Sequence, residues 1–180
     1  MMNREVFFAA LRRRGSGVFG NSLSQRQVDG INGILAAFAS HGDGRDRTLA
    51  NALATAYHET GGRMVPVRER FARDDASAHR IVAKRKYGRP EGKYGHVHCG
   101  RGEVQITWLE NYCRSPADAG YGLVAYPDKM LDPVISARIL IKGLLDGRWN
   151  GHGKGIAFYL PTDGPDDIRN ARRTVNITDK

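Results

Sequence analysis

The stretch that most narrows the fold runs from Asp132 to Gly147. Asp132-Pro133 is a helix start, an N-cap followed by proline at the first helical position. Ile135, Ile139, Leu140 and Leu144, with their apolar neighbours, then recur at helical spacing, and Gly147 supplies the stop. A helix apolar around most of its girth has to be buried. The chain must therefore wrap other helices around this one.

The other segments supply such partners. Asn3 is placed to cap a first helix through about Arg14, with Phe7, Ala10 and Leu11 on one face and Gly15 as its stop. Ser24-Gln25-Arg26-Gln27 is a capping box. Val28, Ile31, Leu35 and Phe38 follow on one stripe, and Gly42 ends that helix. Gly30 and Gly33 inside it each cost about 1 kcal/mol relative to alanine, which points to close approach of another element. Asp46 or Thr48 is expected to cap a third helix, carrying Leu49, Leu53, Ala56 and Tyr57 inward and stopped by Gly61-Gly62. Asp75 opens a further helix, Thr107 a short one through Cys113, and Pro165-Asp166-Asp167 a last one running into Arg172-Arg173. From Tyr87 to Gly102 the Gly, Tyr and His content reads as a loop. Strand signal is slight throughout. The expected fold is mainly α, in a single domain spanning residues 1–180.

Bulk properties exclude several classes. No apolar run approaches the roughly 18–20 residues needed to cross a bilayer. The apolar patch Val6–Leu11 precedes Arg12-Arg13-Arg14, the reverse of a secretory signal. Synthesis in the cytoplasm without a signal peptide is expected. Cys99 and Cys113 lack CxxC-type neighbours, so free thiols are expected rather than a metal site. His96-x-His98 is too isolated for a metal site, and neither a metal nor a cofactor is expected. A net charge of +9, spread along the chain, favours polyanions such as an anionic bacterial wall. Charge alone speaks for nucleic acid, which is not an expected partner.

Chemistry concentrates between Leu49 and Asn111. Glu59 falls in the last turn of the third helix, at the negative end of its dipole and beside apolar packing. Both effects favour a neutral carboxyl, a form able to donate a proton. The commoner fate of a lone Glu there is a surface residue. Glu69, ten positions on, sits among Arg68, Arg70 and Arg73, which favour its charged form. An acid and a base tuned apart in this way form the pattern of general acid–base catalysis. The plainer reading of Glu69 is a surface ion pair. Gly100-x-Gly102 allows close backbone approach to a ligand. Gln105 and Thr107 share a face if the segment is extended, and Asn111 lies one helical turn beyond Thr107. Such amide and hydroxyl groups suit sugar hydroxyls and N-acetyl groups, although turns and caps use the same residues.

At these residues the chain resembles glycoside hydrolase family 19, closest to its phage endolysin and bacterial branch within the lysozyme-like superfamily. His58-Glu59-Thr60-Gly61-Gly62 is similar to the family's catalytic-acid motif. Gly100-Arg101-Gly102-x-x-Gln105-Ile106-Thr107, with Asn111-Tyr112, is similar to its substrate motif, and Ala171-Arg172-Arg173-Thr174-Val175-Asn176 to the segment that closes its cleft. The resemblance covers the chain from about Ser24 onward. It implies a two-lobed helical domain with a central substrate cleft and an inverting mechanism, the two carboxyls about 6.5–9.5 Å apart. Glu59 would be the acid and Glu69 the base, with Thr107 holding the attacking water. His58, Arg101, Gln105, Asn111, Tyr112 and Asn176 would contact substrate. Glu103 stands where plant members carry proline, which brings a third carboxyl near the site. The implied activity is lysozyme-type, endo-acting cleavage of β-1,4 bonds in peptidoglycan by a monomer. It would be reached from inside the cell once the membrane is breached, causing bacteriolysis. A chitinase acting on chitin oligosaccharides is the alternative within the class, and a catalytically inactive wall-binding module the alternative outside it.

Overall fold

The structure, a computed structural model, describes residues 3–175. It is mainly helical. Helix α7 (Pro133–Asp146) is its centre, with Ile135, Ile139, Leu140, Ile141 and Leu144 all buried. The Asp132 carboxylate accepts from the Val134 and Ile135 amides at 2.9 and 3.1 Å, which satisfies donors the first turn leaves without partners.

Helix α2 (Gln25–His41) packs along α7, and α3 (Asp46–Glu59) packs on both. The capping box forms as read, with the Ser24 amide donating to Gln27 Oε1 at 2.9 Å. Gln27 Nε2 also donates to the Gly62 carbonyl at 2.8 Å, which ties the start of α2 to the end of α3. Gly30 is where the Met64 backbone crosses α2: an added Cβ would lie 1.7 Å from the Met64 carbonyl oxygen. Among the described residues Gly33 has no such neighbour, so the close approach expected of both glycines is seen at Gly30.

Shorter pieces complete the described chain. Helix α1 (Arg4–Leu11) is capped by Asn3 and is shorter than expected. Helix α4 (Asp75–Val82) buries Ala78 and Val82 against Val97 and Cys99. Strands β1 (Val67–Arg68) and β2 (Arg101–Gly102) make a two-residue antiparallel ladder, with Val67 opposite Gly102 and Arg68 opposite Arg101. Helices α5 (Leu109–Cys113) and α6 (Pro116–Ala119) precede α7, and α8 (Ile156–Tyr159) and α9 (Ile168–Ala171) follow it. Cys99 is buried, Cys113 exposed, and both are free. No helix among the described residues is long and apolar enough to cross a membrane.

Three expected helix starts shift by one or two residues. Helix α3 has Arg45 at its N-cap with no side-chain cap, because Asp43 in the preceding turn accepts from Thr48 Oγ1 at 2.8 Å and from the Arg45 amide at 3.1 Å. Asp74, not Asp75, caps α4 by accepting from the Ser77 amide at 2.8 Å. Asp75 is left to pair with two arginines. Helix α5 begins at Leu109 rather than Thr107, since Trp108 takes φ 71 and ψ 136.

Candidate active site

Glu59 is the final residue of α3. The turn after it is locked by buried Thr60, whose hydroxyl donates to the Ala56 carbonyl at 2.6 Å and accepts from the Met64 amide at 2.9 Å. Gly61 and Gly62 follow with positive φ, which ends the helix without a Cβ penalty. The Glu59 carboxylate accepts from Arg172 Nη2 at 3.0 Å, across 113 residues of sequence. Arg172 is the residue the sequence reading missed: its motif was visible, its partner was not. A guanidinium on this carboxylate also revises the expected surroundings of Glu59, which were an apolar wall and a helix dipole.

Glu69 is placed by the β1–β2 ladder. Continuing the pairing one step brings it opposite Gly100, where its amide donates to the Gly100 carbonyl at 2.7 Å. The Gly100 amide donates to Glu69 Oε2 at 2.9 Å in return. An added Cβ at Gly100 would come within 2.8 Å of both Glu69 Oε2 and Gln105 Oε1. Glycine is thus needed here because two side chains of the chain itself crowd it. Beyond Glu69 the backbone doubles back through Arg70 and Phe71, at φ 46 and 61. The Phe71 ring lies against Gly61, with the Arg63 guanidinium 3.7 Å above its centroid. The Glu69 turn is thereby folded onto the residues that end α3.

Gln105 Nε2 donates to the carbonyls of Val67 at 2.7 Å and Gly102 at 3.0 Å. Its φ of 49 means that the segment is not extended, so Gln105 and Thr107 do not share a strand face as expected. Thr107 is half-buried, and its carbonyl accepts from Asn111 Nδ2 at 3.0 Å. His58 is exposed in the last turn of α3. Asn176 lies outside the described residues.

Arg101 and Tyr112, expected to touch substrate, are buried instead, at 1% and 0% exposure. Arg101 and Arg68 are bridged by Asp75 and Asp128, with four N–O distances between 2.8 and 3.0 Å. Burial works against the Asp75 charge, but the Arg68 and Arg101 guanidinium groups hold its pKa below the ordinary value. Tyr112 donates to the Cys99 carbonyl at 2.9 Å and accepts from Arg101 at 3.3 Å. Both residues support the backbone leading into Gly100 through bonds to the Val97 and Cys99 carbonyls. Glu103 is likewise interior: burial pushes its pKa up to about 8, and its Oε2 has no partner among the described residues. Of Glu69 and Glu103, Glu69 is therefore the more accessible.

Among the described residues, five outside glycine have positive φ: Met64, Arg70, Phe71, Gln105 and Trp108. All fall within the stretch singled out from sequence. Such conformations cost about 1–3 kcal/mol each and cluster at functional sites. No group of three or more His, Cys, Asp and Glu is disposed to hold a metal ion among the described residues.

Compared with known proteins, the chain matches no family model, no curated protein and no solved structure.

Proposed function

We propose that the chain is a glycoside hydrolase that cuts β-1,4 bonds of N-acetylated cell-wall glycan by inversion, in a two-lobed, lysozyme-like domain. One observation carries the reading. Three motifs far apart in sequence converge on two carboxylates: Arg172 holds Glu59, while Gly100, with Gln105 beside it, holds Glu69.

Glu59 gives its proton to the glycosidic oxygen as the bond from that oxygen to C1 breaks. A water attacks C1 from the opposite face, and Glu69 takes the proton it loses. The products are a free hydroxyl and a hemiacetal of inverted configuration. Arg172, already 3.0 Å from Glu59, steadies the carboxylate left behind. Peptidoglycan is the proposed polymer, since the net charge of +9 draws the protein to an anionic wall.

The test is incubation with purified peptidoglycan and with chitin oligomers, followed by proton NMR of the anomers released. Wall cleavage with inversion is expected, and Glu59→Gln should abolish it while wall binding persists. Cleavage confined to chitin oligomers would move the assignment to a chitinase. Lysis unaffected by Glu59→Gln would remove Glu59 as the acid, and wall binding with no cleavage of either substrate would leave a binding module.

A further inference from the structure

The chain has two tryptophans, and both line one cavity of about 840 Å³. The same cavity takes in Asn111, Glu91, Glu110 and Arg114. Trp108 is 42% exposed and meets the Tyr87 ring edge-on at 5.5 Å between centroids. Its φ of 71 and ψ of 136 lie close to a region that glycine alone ordinarily enters. A large apolar side chain is thus held in the open by a backbone that would prefer to have no side chain at all. Trp149 differs, since its ring packs over Gly143.

We propose that this cavity is a sugar-ring subsite, with the Trp108 indole as its stacking platform; the assignment rests on the glycan-hydrolase reading and extends it. A pyranose with equatorial substituents presents an apolar C–H face that fits a flat indole. Its rim of hydroxyl and N-acetyl groups needs donors and acceptors beside that plane, which the Asn111 amide and the Glu91 carboxylate offer. The charges decide against nucleotides. Among the described residues the one cation lining the cavity, Arg114, already pairs with Glu110, so phosphates would meet an acidic rim despite the basic chain. The two carboxylates equally disfavour a lipid tail. Asn111 joins this cavity to the candidate site through its bond to the Thr107 carbonyl. Tyr87, edge-on to Trp108, has its phenol pKa raised by burial and by the nearby Glu69 charge. On the proposed reading, a ring stacked on Trp108 lies on the same glycan strand as Glu69.

Because the cavity holds both tryptophans, fluorescence excited selectively at the indoles reports on it. The full chain is titrated with N-acetylglucosamine oligomers of increasing length, and kcat and KM are measured on the same oligomers. Saturable quenching or a blue shift is expected. In Trp108→Gly the spectral change should shrink to what Trp149 reports, its midpoint should move with KM, and KM should rise about three- to tenfold with kcat little altered. Thermal stability should hold or rise, because the backbone strain leaves with the side chain. Trp108→Phe should recover part of the binding. An absent wild-type spectral change, an unchanged KM in Trp108→Gly, or a variant that loses stability along with binding would overturn the subsite. Oligomer binding through Trp108 with no turnover would sink the hydrolase reading and leave the subsite standing.

Discussion

At the scale of single residues, Glu103 shows what the interior does to a carboxyl. It stands between Gly102 and Val104 in the motif that supplies the site, yet it is buried, with one oxygen lacking a partner among the described residues. Burial raises its folded pKa to about 8 from an ordinary value of 4.5. Between those values the folded state keeps a proton that the unfolded state has lost. Stability must therefore fall as pH rises through that window, by about 1.4 kcal/mol per pH unit from this group, and level off above it. Glu103→Gln keeps the shape of the neutral acid without its titration. Denaturant unfolding at pH 5, 6, 7 and 8 should show the variant gaining on the parent steadily across that range. Parallel curves would place the Glu103 carboxyl in contact with water. Arg101 and Tyr112 carry a related lesson: their motif context marked them for substrate, and burial turned them into supports.

At the scale of elements, α7 depends on its cap and α2 on one glycine. Asp132→Ala leaves the Val134 and Ile135 amides without their acceptor. It should cost about 1 kcal/mol, read as a lower denaturation midpoint, with glycan cleavage at low temperature unchanged. Gly30→Ala is expected to be harsher. Its Cβ would meet the Met64 carbonyl oxygen, which is backbone and cannot swing aside. A loss of about 3 kcal/mol or more is expected in the same unfolding experiment. The Met64 segment leads directly into β1 and Glu69, so cleavage should fall below the level that lost stability alone explains. The helix cores, the Ser24 capping box and the Asp132-Pro133 start were legible in sequence because caps and apolar stripes are local. The starts of α3, α4 and α5 depart from their local signals where a neighbouring group intervenes: the Asp43 carboxylate, the Asp74 cap and the unusual Trp108 backbone.

At the scale of the whole molecule, a charge of +9 acts as a field rather than through any one contact. Added salt should therefore weaken binding to an anionic wall and slow its cleavage between about 50 and 300 mM, where the screening length shrinks through roughly 10 Å. Turnover of uncharged chitin oligomers should barely move over the same range. Equal sensitivity of the two substrates would argue against long-range attraction to the wall. The candidate site also belongs to this scale, since Glu59 and Arg172 come from α3 and from the segment after α9. Glu69 is set by a ladder of two residue pairs that has almost no signature in sequence.

Sequence by itself determined the helices, the buried α7 and the stretch in which the polar chemistry gathers. It did so because helix periodicity and capping act over a few residues. Tertiary structure alone decided that Arg172 meets Glu59, that Gly100 clasps Glu69, and that Arg101, Tyr112 and Glu103 lie inside. Those outcomes depend on which surfaces are pressed together across long sequence separations, and burial and pairing then rewrite what a charged residue can do.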